Sequence, residues 1–316
     1  MYNLIILGGG PAGIAAGIYA ARKKLKTLLV AESFGGQSVV AAQINNFIGF
    51  KSISGIELKN VLEEHLYSYK DGIEIKEGVR VEKIEKKENG FVVSVNGEQF
   101  ETKTILLSLG SSYRKLGIPG EKEFEGKGVF YCSTCDAPLM KNKTAVVVGG
   151  GNSGFYAVLD LLPHASKIYV LEYGDAFRAD PIYIDKAKAS GKVEFITMAV
   201  AKEIVGETFV SAIKYEDSQN KEIKELKTDG VFVAIGYTSN SGIVKDLVKI
   251  NEQGKIIIDH QTQRASLEGI WAAGDITDVL YGQINVAIGD AIKAVLNIND
   301  YFSALGGSAS GGKKSQ

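Results

Sequence analysis

Residues 4–13 read LIILGGGPAG. Four apolar residues, Leu4-Ile5-Ile6-Leu7, run straight into Gly8-Gly9-Gly10-Pro11-Ala12-Gly13, and the small residues that follow predict a helix to about Lys23. A second apolar strand, Thr27-Leu28-Leu29-Val30, ends at Glu32. Strand, glycine turn, helix and strand make a βαβ unit with a parallel pair. Residues 145–154, AVVVGGGNSG, repeat it, with a helix to about Leu162 and a strand, Ile168-Tyr169-Val170-Leu171, ending at Glu172. Hairpin-rich sequence follows each unit, marked first by Asn89-Gly90 and Asn96-Gly97, dipeptides suited to tight primed turns. Each half closes on an apolar strand ending in glycine, at Gly110 and at Gly236. Two copies of one dinucleotide-binding module account for this pattern.

No third module begins after Gly236. A hairpin around Gly254, a strand over residues 269–275 and a final helix over residues 286–302 return to complete the first module. The expected fold is α/β, with two Rossmann-like, three-layer ββα domains, the second inserted into the first. The polar, glycine- or proline-containing crossovers at residues 115–120 and 238–242 set the boundaries. The outer domain then takes residues 1–116 and 243–305, and the inserted domain residues 117–242. Residues 306–316, rich in glycine and serine, read as a disordered tail.

At 316 residues the chain is long enough for two cores. A formal net charge of −1 gives no excess of cations to displace counterions from nucleic acid. No apolar run reaches the roughly 18 residues of a spanning helix, and the apolar N-terminus lacks the basic leader of a signal peptide. These features point to a cytoplasmic protein without a membrane partner.

The first turn carries specific chemistry. Gly8 permits the tight turn, Gly10 lets backbone approach a pyrophosphate, and Gly13 lets the helix pack on the strand. Pro11 and Ala12 open the helix whose unpaired N–H groups favour an anion. Glu32, 24 positions after Gly8, stands where an acid accepts from ribose hydroxyls. Gly149, Gly151, Asn152, Ser153, Gly154 and Glu172 repeat the arrangement. Two dinucleotide sites in one chain suit an enzyme that holds a flavin and receives hydride from a nicotinamide.

The chain has two cysteines, in Cys132-Ser133-Thr134-Cys135, followed by Asp136. This spacing suits a redox disulfide that closes across one turn. Structural zinc takes four ligands, and His65, His164 and His260 are too scattered to complete such a set. An inert buried pair is the plainer alternative. Asp136 is either a helix cap or a group that moves the proton exchanged at the sulfurs. His65 falls on an amphipathic helix with Leu58, Leu62 and Leu66 and reads as a packing or surface residue.

Residues 8–13, Gly35-Gly36-Gln37, Asn45-Asn46-Phe47, 132–136, 149–154 and Ala272-Ala273-Gly274-Asp275 with Gln283 together resemble low-molecular-weight thioredoxin reductases over nearly the full length. The resemblance implies FAD in the outer domain, held by Gly8, Gly10, Gly13 and Glu32. It also implies that Gly36, Gln37 and Asn46 line the flavin, with Asp275 at the ribityl and phosphate region and Gln283 near the isoalloxazine edge. Cys135 would face the flavin, Cys132 would attack a thioredoxin- or glutaredoxin-like partner, and Asp136 would be the acid–base group. Domain rotation about the linkers and a homodimer are implied as well.

Members that use NADPH carry a basic HRR cluster and a later arginine, whereas this chain has Glu172-Tyr173-Gly174 and only Arg178. A carboxylate there repels a 2′-phosphate and accepts from a free 2′-hydroxyl, so NADH is expected as the donor in preference to NADPH. Leu171-Glu172-Tyr173 and Asn46-Phe47-Ile48 are similar to the flavoprotein subunit of alkyl hydroperoxide reductase. That subunit carries an extra N-terminal thioredoxin-like domain, whose counterpart here is expected to be a separate protein. Gly282 stands where related chains have arginine or lysine. The rival readings are a ferredoxin- or flavodoxin-dependent reductase, an NADH oxidase and a flavin-binding redox sensor.

Overall fold

The computed structural model describes residues 1–41, 44 and 46–307, without the side chains of Val40 and Cys135. Its internal contacts divide into two compact units, one of Met1–Val39, Ile44–Ser112 and Thr238 onward, the other built on Tyr113–Tyr237.

In the first unit, Tyr2–Leu7 lies between parallel neighbours Thr27–Ala31 and Glu98–Leu107. Glu74–Glu77 extends one side and Ile270–Ala272 the other, both in parallel. The run Leu4-Ile5-Ile6-Leu7 is unbroken because both faces of this strand are covered. Leu4 and Ile6 pack with Ile14, Ile18, Leu66 and Ile298 from helices Pro11–Arg22, Gly55–Tyr67 and Ile284–Gly307. Ile5 and Leu7, pointing the opposite way, pack with Phe91, Val93, Val248 and Ile256. Each such fully buried side chain contributes about 1.5–3 kcal/mol of transfer free energy. The long strand Glu98–Leu107 joins the layers, since its residues 98–102 pair antiparallel with Gly90–Val95 and its residues 105–107 pair with Ile270–Ala272.

The second unit repeats the plan. Thr144–Val148 lies between Lys167–Leu171 and Gly230–Val233, with Val193–Ile196 and Val129–Phe130 at the edges. Val147 packs with Phe155, Val158 and Leu161, whereas Val146 and Val148 pack with Ile204 and Ile213 of an antiparallel meander. The two parallel sheets share one strand order. Their fifth strands differ in origin. In the first unit it comes from late in the chain, Ile270–Ala272, and in the second from upstream, Val129–Phe130.

The contact boundaries fall at 112/113 and 237/238, beside the expected 116/117 and 242/243. Pro119 and Gly120 already serve the second unit. Pro119 O accepts from Ile204 N, and a Cβ on Gly120 would lie 2.0 Å from Ile204 O. Asn240 N donates to Gly110 O, which ties residues 238–242 to the first unit. The short strands Ser111–Tyr113 and Tyr237–Ser239 pair with each other.

Asn96 and Gly97 both have positive φ, 49° and 77°, as a primed turn requires. Asn89 does not; Gly90 instead opens the next strand, pairing with Lys87, so Glu88-Asn89 makes the turn. The final helix runs through Gly307, so Gly306 and Gly307 are helical rather than part of a disordered tail, and the rest of that expected tail, residues 308–316, lies outside the described residues. Asn45, quoted in the motif above, also lies outside them. Among the described residues, no helix is long and apolar enough to cross a membrane.

Candidate functional site

The first unit carries a cavity of about 580 Å³ at the C-terminal ends of its parallel strands, where open α/β sheets bind ligands. Gly8, Gly10, Pro11, Ala12, Glu32, Gly36, Gln37, Gly110, Gly274, Asp275 and Gln283 all line it. The helix Pro11–Arg22 begins here with no side-chain cap and no acidic residue in its first turn. Its first N–H groups are therefore free to bind an anion. Gly8 has φ +116°, and a Cβ there would lie 2.3 Å from Ser108 O. A Cβ on Gly10 would meet only Gly36 Cα, at 3.9 Å, so its bareness leaves room on the cavity side.

Two expected residues stand behind this lining. Gly13 acts at one remove, since a Cβ there would lie 1.8 Å from Gly8 O and force the helix off the turn. Asn46 reaches the cavity through Gln283, donating from Nδ2 to Oε1 at 3.0 Å. Gln37 donates to the Ser111 hydroxyl at 3.0 Å and to the Ser111 carbonyl. Burial pushes the Asp275 carboxyl up, opposed by Lys255. Gly282 lies against it, and a Cβ there would be 3.1 Å from Asp275 Oδ1. Glu32 is exposed and faces Arg80 at 3.3 Å. The lining suits a dinucleotide: N–H donors for a pyrophosphate, a carboxylate for ribose hydroxyls, and bare glycines where backbone must come close.

The second glycine turn has the same geometry. Gly149 has φ +125° with its Cβ position 2.5 Å from Ala234 O, and Gly154 would meet Gly149 O at 1.8 Å. Gly151 is open, and the helix Asn152–Leu161 starts uncapped with no acid in its first turn. Asn152 Oδ1 accepts from the Asp180 amide at 2.8 Å, Ser153 is exposed, and Gly236 is half-buried with φ +92° and nothing within 4 Å of its Cβ position. Glu172 differs from expectation. It is 5% exposed, and its two oxygens accept from Gly150 N at 2.7 Å and Gly174 N at 2.9 Å. Its first role is to brace the glycine turn against the end of its own strand. Arg178 is exposed, with Nη2 3.9 Å from the Cβ position of Gly174.

Cys132 is disulfide-bonded and occupies the N-cap of a one-turn helix, Ser133–Asp136, with Asp136 N donating to Cys132 O at 3.0 Å. Asp136 makes no cap with its side chain, which removes the helix-cap reading. Burial pushes its carboxyl up to about 6. A group there exchanges protons near neutral pH. Tyr131, next to Cys132, donates to Glu121 at 2.9 Å; burial and then that carboxylate push the hydroxyl up. Glu121 is 4% exposed and also accepts from Leu116 N and Gly117 N.

Sequence reasoning missed Ser108, Arg80 and Asn240 at the cavity, and Asp160 and Glu121 near the cysteine motif. None sits in a motif; each reaches its place through the fold. Ser108 fastens the first turn by donating to Leu7 O at 2.9 Å, and Asn240 donates to Leu109 O at 2.8 Å. His65 is exposed on its helix, which makes it the surface residue of the two alternatives, packing or surface, that the helical pattern left open.

A family model described as pyridine nucleotide-disulphide oxidoreductase matches residues 2–291. The chain is 40% identical over 302 residues to a subunit of the alkyl hydroperoxide reductase of Staphylococcus aureus, covering 95% of this chain and 59% of that protein. It thus spans about three fifths of the length of the curated relatives it matches. Thioredoxin reductase from Streptococcus pyogenes superposes with a TM-score of 0.78 at 35% identity, covering 96% of this chain and 99% of that one. Thioredoxin reductase from T. acidophilum does so with a TM-score of 0.74 at 35% identity and the same coverage.

Proposed function

The chain belongs to the pyridine nucleotide-disulphide oxidoreductase family, and from that premise we propose that it reduces protein disulfides with electrons from a nicotinamide dinucleotide. The observation that carries this reading is the joint presence, in one chain, of two uncapped helix starts behind glycine turns and a disulfide at Cys132. Gly8, Gly10, the amides of the first helix turn, Glu32 and Asp275 would hold FAD in the first unit. Gly149, Gly151, Asn152 and Ser153 would hold the nicotinamide dinucleotide in the second. FAD bound in the cavity would supply the two-electron relay between nicotinamide and disulfide.

The chain's own steps are thiol–disulfide exchanges. After two electrons and two protons convert the pair to a dithiol, the Cys132 thiolate attacks one sulfur of a partner disulfide. A mixed disulfide forms and one partner thiolate leaves. Cys135 then displaces the second, re-forming the internal disulfide and releasing the reduced partner. Asp136, its carboxyl near 6, accepts the proton given up at the attacking thiol and returns one to the departing thiolate. The partner is a thioredoxin- or glutaredoxin-like protein, the setting the cytoplasm, and the working form a homodimer.

NADH is the proposed donor in preference to NADPH. The support is the buried Glu172 carboxylate under the second turn, a charge that a 2′-phosphate would have to approach. Exposed Arg178 works in the opposite sense. The test is anaerobic titration of the Cys132→Ser protein with each nucleotide, following flavin absorbance. Reduction by NADH at lower concentration supports the reading, and equal or better reduction by NADPH defeats it. A parent enzyme that bleaches with neither nucleotide would defeat the nicotinamide donor altogether.

A further inference from the structure

Asp160 belongs to the helix Asn152–Leu161, but its contacts lie on the cysteine motif. Its Oδ2 accepts from Ser133 Oγ at 2.8 Å and from Thr134 Oγ1 at 3.0 Å. Those are the two residues between the cysteines. One carboxylate oxygen therefore gathers both hydroxyls of the motif. Each hydroxyl has a single hydrogen to give, and here both are given to Asp160. Neither remains to donate to a sulfur of the reduced pair. A hydroxyl that donated to a thiolate would favour the reduced form, so engaging both elsewhere withholds that stabilisation. The anion beside the motif acts in the same direction, since a negative charge disfavours a neighbouring thiolate.

We propose that Asp160 is a positioning residue for the redox pair: by holding the Ser133 and Thr134 side chains, it keeps the dithiol strongly reducing. The inference rests on the dithiol chemistry proposed for Cys132 and Cys135. It assigns a purpose to a helix residue with no part in dinucleotide binding. It also explains why both intervening residues bear hydroxyls, which a purely structural turn does not need. A less oxidising pair passes electrons on to a partner more completely, because the equilibrium of exchange follows the difference in potential.

The test uses the full-length holoenzyme equilibrated anaerobically in reduced and oxidised dithiothreitol. There the internal disulfide takes two electrons and two protons while the reagent closes its own ring disulfide. The fraction reduced is read by trapping free thiols. In Asp160→Ala, which removes both the acceptor of the two hydroxyls and the charge, the equilibrium constant should favour the dithiol about tenfold more, about 30 mV. In Ser133→Ala/Thr134→Val it should stay within about twofold of the parent, because the removed hydroxyls were already turned away from the sulfurs. Adding Asp160→Ala to that double variant should then move it less than about threefold. An unchanged constant in Asp160→Ala overturns the proposal. An equal shift with and without the hydroxyls also overturns it, since the aspartate would then act by charge alone. Should the parent itself show no dithiol–disulfide equilibrium, the underlying redox reading fails instead. Thermal unfolding of Asp160→Ala near the parent's midpoint ties the shift to potential rather than to a loosened fold.

Discussion

Replacing Asp136 by asparagine should make this protein more stable at alkaline pH while harming its proposed chemistry. In the folded chain burial raises the carboxyl from its ordinary 3.8 to about 6. Between those values the folded state keeps a proton that the unfolded chain has already released. Stability therefore falls as pH rises from about 4 to 6, and the full cost is present above 6. At 1.36 kcal/mol per tenfold, the unscreened cost is about 3 kcal/mol. Solvent still reaches the carboxyl, so screening reduces this to about 1 kcal/mol. Asparagine carries no charge and avoids it. The Asp136→Asn protein should melt about 2–4 °C above the parent at pH 8. At pH 4.5, where the folded carboxyl is protonated and the unfolded one mostly ionised, the gain should shrink to about a third. Thermal unfolding of the oxidised protein at the two pH values, followed by circular dichroism, measures both. An equal gain at both values, or a loss at pH 8, would refute the assignment of the shift to burial. Disulfide reduction by the variant should also lose its pH dependence near 6.

Gly13→Val places a side chain where even a Cβ lies 1.8 Å from Gly8 O; the purified protein should retain less than about a tenth of the parent's flavin, and full retention would remove the turn's assigned part. Glu121→Gln withdraws the charged acceptor shared by Leu116 N, Gly117 N and Tyr131. Its unfolding should cost about 1–3 kcal/mol less, with faster amide exchange at Leu116 and Gly117 than elsewhere in the unit. Glu172→Gln removes the buried charge under the second turn and should move nucleotide preference toward NADPH by about tenfold, about 1.4 kcal/mol. Steady-state rates with both nucleotides read this out, and an unmoved ratio tells against electrostatic exclusion.

The glycine turns were legible in sequence because their constraint is local. A strand, a positive-φ glycine and a bare helix start leave a fixed spacing, and the same spacing announced the repeat. The cysteine motif was legible for the same reason. What escaped lies where distant segments meet. Glu172 looked like a free ribose acceptor because spacing places it at the strand end but says nothing of the two amides that occupy its oxygens. Asp160 sits on an ordinary amphipathic helix, and only the packing of that helix against the short turn at Ser133 gives it meaning. The linkers were read from proline and glycine content, yet Pro119 and Gly120 answer to the close approach of Ile204. Composition marks where a chain bends, and the reason for the bend lies in what it bends against.

The different origins of the two fifth strands bear on how the polypeptide matures on the ribosome. Everything the second sheet needs, from Val129–Phe130 to Gly230–Val233, is synthesised in one uninterrupted stretch. The first sheet begins at Tyr2 but waits for Ile270–Ala272, and its helix Pro11–Arg22 waits for Ile284–Gly307. At about 5–20 residues per second, that delay lasts several seconds after the inserted unit is complete. The guest therefore matures before its host, and Leu4 to Leu7, the first core residues made, are among the last to be sealed from water.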